Sequence, residues 1–338
     1  MRNDVNRQVV LASRPVGIPE ARHFELRRAP APQVGEGRFL VRNRFLSVDP
    51  AMRGWVNAAA NYSQPVGIGE VMRSFAVGEI VASRHPGYAA GEIVCGMFGW
   101  QELALSDGSD VSFKHDPDEA PVATALGLLG INGITAYFGL QEVGQPRAGE
   151  TVVVSTAAGA VGSAVGQIAK ILGCRAVGIT GSEQKVALCR DEFGYDAAVN
   201  YRAADLDRAL SEACPEGIDV YFDNTAGAIS DAVYRRLNVG ARCVICGTAA
   251  LSSWEPWPQG PRIERHLLVK RARMQGFLLF DYVDRYGEAR SQLAAWLRQG
   301  KLRYREEILD GLEQAPGAIA RLYAGENLGK LMIRVDAD

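Results

Sequence analysis

Residues 151–166 read TVVVSTAAGAVGSAVG, an apolar run that breaks at Ser155-Thr156 and opens into small residues before a second apolar stretch. The run, bounded by a glycine turn, predicts a buried strand over 151–155. Beyond the turn, Val161, Val165, Ile168, Ala169 and Leu172 recur at helical spacing, and Gly173 follows as a plausible stop. A strand, a glycine turn and a helix in that order make the phosphate-cradling unit whose fingerprint is G-x-G-x-x-G. Gly159 and Gly162 hold its second and third positions, and Ala157 stands at the first. Gly159 permits close approach of a pyrophosphate to the backbone, while Gly162 lets the helix start pack on the strand. Taken alone the loop also fits a tight turn without a ligand; its place at the opening of a βαβ unit favours the cradle.

Outward from this unit, Val/Ile-rich runs at 175–179, 197–200, 219–222, 242–245 and 273–278 alternate with helical stretches. Six strands with intervening helices predict an α/β fold built on a doubly wound parallel sheet, with ligands at the carboxyl ends of the strands. Residues 6–119 differ. Short β-like runs at 38–45, 78–83 and 92–98, divided by Gly and Pro, predict an irregular strand-rich domain. After Gly300 the texture is mixed again and ends in a strand-like run at 331–335.

A chain of 338 residues suits about two domains. Lys and Arg total 37 against 39 for Asp and Glu, without a block of like charge, so no nucleic-acid footprint is expected. The polar start and the lack of a long apolar run predict a soluble, cytoplasmic protein with no membrane partner. Cys95, Cys174, Cys189, Cys214, Cys243 and Cys246 are scattered, several within apolar runs, as small hydrophobes in a reducing compartment would be.

An NAD site places an acid at the end of the second strand to accept the ribose 2′-hydroxyl. Here that end reads Gly178-Ile179-Thr180-Gly181-Ser182, without an acid. Ser182, Lys185 and, after the third strand, Tyr201 offer donors instead, which predicts NADP as the cofactor. Lys185 by itself would read as a solvated helix lysine; the missing acid makes it informative.

Several segments together resemble one family. They are Val48-Asp49-Pro50-Ala51-Met52-Arg53-Gly54, Gly133-Ile134-Thr135-Ala136-Tyr137-Phe138-Gly139-Leu140, the loop and helix from Ala157 to Gly173, Tyr221-Phe222-Asp223-Asn224, Cys246-Gly247, Arg273-Met274-Gln275-Gly276-Phe277 and Asn327-Leu328-Gly329-Lys330. In this order the chain resembles the zinc-independent medium-chain dehydrogenase/reductases of the leukotriene B4 dehydrogenase, prostaglandin reductase and bacterial curcumin reductase type. The resemblance implies a Rossmann domain, residues 129–304, inserted in a GroES-like β-rich domain of residues 1–128 plus 305–338. It also implies that Gly159, Ala160, Val161 and Gly162 line the pyrophosphate and that Lys185 and Tyr201 serve the 2′-phosphate. Asn224, Cys246, Gly247, Thr248, Phe277, Leu278, Leu279 and Asn327 would flank the rest of NADP; Asn224 and Asn327 have the alternative of merely holding turns. Relatives commonly form homodimers through their sheet edges, which a last strand at 273–278 would suit.

Catalytic zinc needs three soft or imidazole ligands. Where zinc relatives would carry Gly-His-Glu this chain has Ile68-Gly69-Glu70, and Ser47-Val48-Asp49 stands where a ligand cysteine would precede the acid; His23, His85, His115 and His266 are isolated. No metal is expected. Hydride delivery to the β-carbon of an enone or enal suits such a site, because hydrogen-bond donors can hold the developing enolate. The resemblance points the same way, to NADPH-dependent reduction of activated C=C bonds. Two tyrosines common in the family are absent: Ala51 replaces one, and 246–254 reads CGTAALSSW without the other. Tyr62, Tyr282 and Ser252, with Ser253 behind, are the candidate donors. A tyrosine in apolar surroundings is as readily a packed residue, and solvent or the nicotinamide ribose could supply the proton. Trp254 and Trp257 read as an apolar lid. The alternatives are a quinone or carbonyl reductase on the same scaffold, and an NADPH-binding sensor without turnover.

Overall fold

The computed structural model describes residues 5–58, 61–203, 205–251, 256 and 258–335. The chain divides into two units, Met1–Leu126 with Glu306–Asp338, and Gly127–Arg305. The first unit begins with an antiparallel ribbon of β1 (Val5–Leu11) and β2 (Phe24–Pro30). It continues through β3 (Phe39–Ser47), the short helix α1 (Met52–Trp55), β4 (Ala76–Ser83), β5 (Ile93–Gly96), β6 (Leu103–Ser106) and β7 (Val111–His115). In β3, Phe39, Val41 and Asn43 are buried while Arg42 and Arg44 are exposed, the alternation expected of a strand with one wet face.

The second unit holds α2 (Ile131–Phe138), β8 (Thr151–Ser155), α3 (Ala160–Ile171), β9 (Arg175–Thr180), α4 (Glu183–Ala187), β10 (Ala197–Asn200), α5 (Leu206–Ala213), β11 (Ile218–Asp223), α6 (Gly227–Tyr234), β12 (Leu237–Ile245), α7 (Glu264–Lys270), β13 (Arg273–Gly276) and α8 (Tyr286–Arg298). The chain then returns to the first unit with β14 (Glu306–Asp310), α9 (Ala315–Ala324) and β15 (Lys330–Arg334). There β14-β15-β3-β4-β5-β7 form one sheet, with β6 also pairing β3.

The second unit's sheet runs β10-β9-β8-β11-β12-β13, and every pairing in it is parallel. The order reverses between β8 and β11, the crevice where doubly wound sheets take their ligands. Both faces of β8 are covered and all of its residues are buried, which is why its sequence is continuously apolar rather than alternating. Val153, Val177, Ile179, Tyr221 and Cys243 carry the core across four strands. Two strands of this sheet depart from the sequence reading by more than one residue at an end. The run at 242–245 is the second half of β12, whose half-buried Asn238 and exposed Val239 and Gly240 interrupt the buried apolar signal. The last strand ends at Gly276, because Phe277 turns into the notch over Gly139, where a β-carbon would lie 2.5 Å from Phe277 Cζ. No helix among the described residues is long and apolar enough to cross a membrane.

Candidate functional site

The turn after β8 is built sterically. Thr156 takes the left-handed conformation (φ 55°), and Gly159 N–H donates back to Thr156 O at 2.9 Å, closing the turn into the start of α3. A β-carbon on Gly162 would lie 2.3 Å from Thr156 O and 2.8 Å from Ala157 Cα, so the helix start seats directly on the turn backbone. On Gly159 the same atom would meet only its own turn, Thr156 Cγ2 at 3.0 Å and O at 3.2 Å. Beyond its chain neighbours and Thr156, nothing lies within 4 Å of that position. Ala157 is fully buried, and its Cβ lies 2.7 Å from where a β-carbon on Gly178 would be. The methyl at the first fingerprint position is thus accommodated by a glycine in the neighbouring strand. Tyr195 fits the remaining notch: its ring occupies the space a side chain on Gly166 would need (1.9 Å to Cζ), and its hydroxyl donates to Gly162 O at 2.6 Å. Complete burial raises the Tyr195 pKa far above the ordinary phenol value. Ala160 and Val161 form the first turn of α3, both half-buried.

At the end of β9, Ser182 caps α4, its hydroxyl accepting from Lys185 N–H at 3.3 Å. Tyr201 follows β10, and its N–H donates to Thr180 O at 3.0 Å. Its ring lies over Gly181, with Cε1 3.2 Å from where a β-carbon would be. Ser182, Lys185 and Tyr201 therefore belong to one strand-end cluster. Glu183, the residue after Ser182, accepts from Asn200 Nδ2 at 2.7 Å.

The turn after β11 is built electrostatically. Asp223 is fully buried and accepts from Thr225 N–H (2.8 Å), Ala226 N–H (2.8 Å), Ser230 Oγ (2.6 Å), Tyr221 OH (3.1 Å), Thr225 Oγ1 (3.3 Å) and Ser155 Oγ (3.4 Å). Its backbone carbonyl accepts from Cys246 N–H (2.8 Å) and Gly247 N–H (3.1 Å), which docks the end of β12 beside it. Asn224 Nδ2 donates to Ser155 O at 2.7 Å, joining this turn to the end of β8. Ala226 is forced to φ 59°, a region costly for any residue with a β-carbon. Burial, and then the charge of Asp223, push the Tyr221 pKa far above that of a free phenol and the half-buried Cys246 thiol up to about 12. Cys246 is therefore a neutral thiol at physiological pH. Thr248 lies two residues beyond Cys246, and its carbonyl accepts from Leu251 N–H at 3.0 Å.

Phe277, Leu278 and Leu279 continue from β13 as an apolar segment, with Leu279 buried and Leu278 38% exposed. Tyr282 stacks on Phe138 with centroids 4.6 Å apart and planes 9° from parallel, and Arg285 lies 5.0 Å over the Phe138 ring. Burial, then nearby Glu142, raise the Tyr282 pKa. Tyr282 is half-buried, with its ring stacked on Phe138. Ser252, with Ser253, Trp254 and Trp257, lies outside the described residues.

In the first unit Tyr62 is 47% exposed. Asn327 is buried and donates from Nδ2 to Gly329 O at 2.8 Å, holding the turn into β15. Lys330 is buried, its Nζ bonded to Ser47 Oγ (2.6 Å), Val48 O (3.0 Å) and Asp49 Oδ1 (2.6 Å). Among the described residues no three His, Cys, Asp or Glu side chains come together as a metal site.

Two family models match, "N-terminal domain of oxidoreductase" over residues 7–113 and "Zinc-binding dehydrogenase" over residues 160–295. The chain is 42% identical over 338 residues to the NADPH-dependent curcumin reductase of Escherichia coli, covering 98% of each chain. The chain belongs to the zinc-independent medium-chain dehydrogenase/reductases. It is also 36% identical over 339 residues to the NADP(+)-dependent 2-alkenal reductase of Nicotiana tabacum, covering 98% of each. The crystal structure of CurA from Vibrio vulnificus in complex with NADPH superposes with a TM-score of 0.93 at 43% identity, over 98% of this chain and all of that one.

Within this family's fold the second unit carries a helix seated on the turn at Gly162 and, at the end of β9, Glu183 engaged by Asn200. Sequence reasoning missed Asp223, Ser155, Ser230, Tyr195 and Gly178. Asp223 lay in the quoted Tyr221–Asn224 segment without a role, and its partners stand 68 residues before it and 7 after. No local motif joins them.

Proposed function

We propose that this member of the family is an NADPH-dependent reductase of activated C=C bonds in enals and enones. The observation that carries the reading is an open glycine turn joined to a second-strand end rich in donors, in a chain 42% and 36% identical to a curcumin reductase and a 2-alkenal reductase. NADPH, when bound, supplies the hydride that adds to the β-carbon. The backbone at Gly159, Ala160, Val161 and Gly162 holds the pyrophosphate, and Ser182, Lys185 and Tyr201 hold the 2′-phosphate. Phe277, Leu278 and Leu279 give an apolar wall, and Cys246, Gly247 and Thr248 flank the rest of the cofactor. A hydrogen-bond donor holds the carbonyl oxygen as negative charge develops there. Two copies pair through β13, the sheet edge, beside which Leu268, Val269, Leu278, Phe280 and Val283 are exposed.

Steady-state oxidation of NADPH tests the reaction. A conjugated enone should support turnover and its saturated ketone should not; turnover with saturated ketones or quinones alone refutes the proposal. Sedimentation at micromolar concentration should give a dimer, and a monomer would remove the edge-pairing part.

A further inference from the structure

Resting on the NADPH reading above, we propose that Arg202 is a specificity residue: its guanidinium takes the ribose 2′-phosphate and sets the preference for NADPH over NADH. Arg202 follows Tyr201 in the turn beyond β10, at the carboxyl end of the sheet next to the end of β9. The turn is fixed by Asn200, whose Oδ1 accepts from Arg202 N–H at 3.1 Å while its Nδ2 donates to Glu183. The guanidinium carbon lies 5.7 Å from the centre of the Tyr201 ring. Both side chains rest on Gly181, where a β-carbon would be 3.3 Å from Tyr201 OH and 3.4 Å from Arg202 Nε. Glycine at 181 is what lets a phenol and a guanidinium sit together at this strand end.

The charges around Arg202 leave its cation available. Glu183 accepts from Asn200, and Asp205, which caps α5, accepts from Asp207 and Arg208 N–H. Among the described residues no carboxylate is paired with the Arg202 guanidinium, which is exposed. A guanidinium placed by stacking, with its fork unspent, matches the oxygens of a phosphate monoester better than a flexible ammonium does. Lys185 then acts as a second point charge and Tyr201 as both platform and donor.

Calorimetric titration of the full chain with 2′,5′-ADP and with 5′-AMP tests this without turnover. Wild type should bind 2′,5′-ADP more tightly than 5′-AMP. Arg202→Ala should weaken 2′,5′-ADP about tenfold and leave 5′-AMP unchanged, and Arg202→Lys should recover part of the loss. In kinetics the alanine variant should raise KM for NADPH about tenfold at constant kcat, with KM for NADH unchanged. Unchanged 2′,5′-ADP affinity in Arg202→Ala, or equal losses for both nucleotides, overturns the assignment. Inorganic phosphate competing as well as 2′,5′-ADP would also overturn it, by showing a bare anion site. Wild type that fails to distinguish the two nucleotides would instead refute the NADPH reading itself.

Discussion

The turns that close β8 and β11 flank the point where the sheet order reverses, and each holds one non-glycine residue at positive φ, Thr156 at 55° and Ala226 at 59°. They are held by opposite means. After β8 the constraint is shape: Gly162, Gly166 and Gly178 leave no room for a β-carbon, and Thr156 O, Tyr195 and Ala157 occupy that room. After β11 the constraint is charge: one buried carboxylate gathers two backbone N–H groups and four hydroxyls. A turn held by shape tolerates the loss of a hydrogen bond but not of a hydrogen atom at Cα. A turn held by charge behaves the other way.

The largest effect should come from removing the charge. Asp223→Ala leaves several donors buried without an acceptor and should cost about 3–5 kcal/mol in urea unfolding, with Asp223→Asn recovering part of it. If the alanine variant is as stable as wild type, the turn after β11 is not held by its carboxylate. Next, Gly162→Ala drives a methyl against backbone and should cost about 1–3 kcal/mol and weaken NADPH binding, measured by fluorescence titration. Equal affinity would mean that the turn can shift, which breaks the contrast from the other side. Smaller and of opposite sign, Ala226→Gly relieves the positive φ and should stabilise by about 1 kcal/mol. A loss of stability there would show that Ala226 is not strained. Smallest of all, Tyr195→Phe keeps the ring in its notch and loses one hydrogen bond, about 1 kcal/mol in thermal unfolding, with cofactor affinity nearly unchanged.

The same contrast explains what the sequence reveals. Glycines and strand patterning are local, so the loop at 157–162, five of the six parallel strands and the architecture could be read directly from it. The end of the sixth strand could not, because Phe277 looks like a strand residue until the notch over Gly139 is known. Asp223 reads as one acid among 39 until Ser155 and Ser230 are folded onto it. Asn224 and Asn327 stand in segments that resemble the family's, and the partners of their side-chain amides, Ser155 O on β8 and Gly329 O, are known only from the fold. The missing tyrosines at 51 and within 246–254 are plain in the sequence, but what supplies the proton instead depends on tertiary neighbours that spacing does not encode. Tyr282 illustrates this, since its stack on Phe138 is invisible in the spacing.

The site of hydride addition tests the functional reading most directly. With NADPH deuterated at the transferring C4 position and a conjugated enone, the saturated ketone should carry deuterium at its β-carbon by NMR, with the carbonyl intact. Deuterium on the carbonyl carbon of an allylic alcohol would contradict the account.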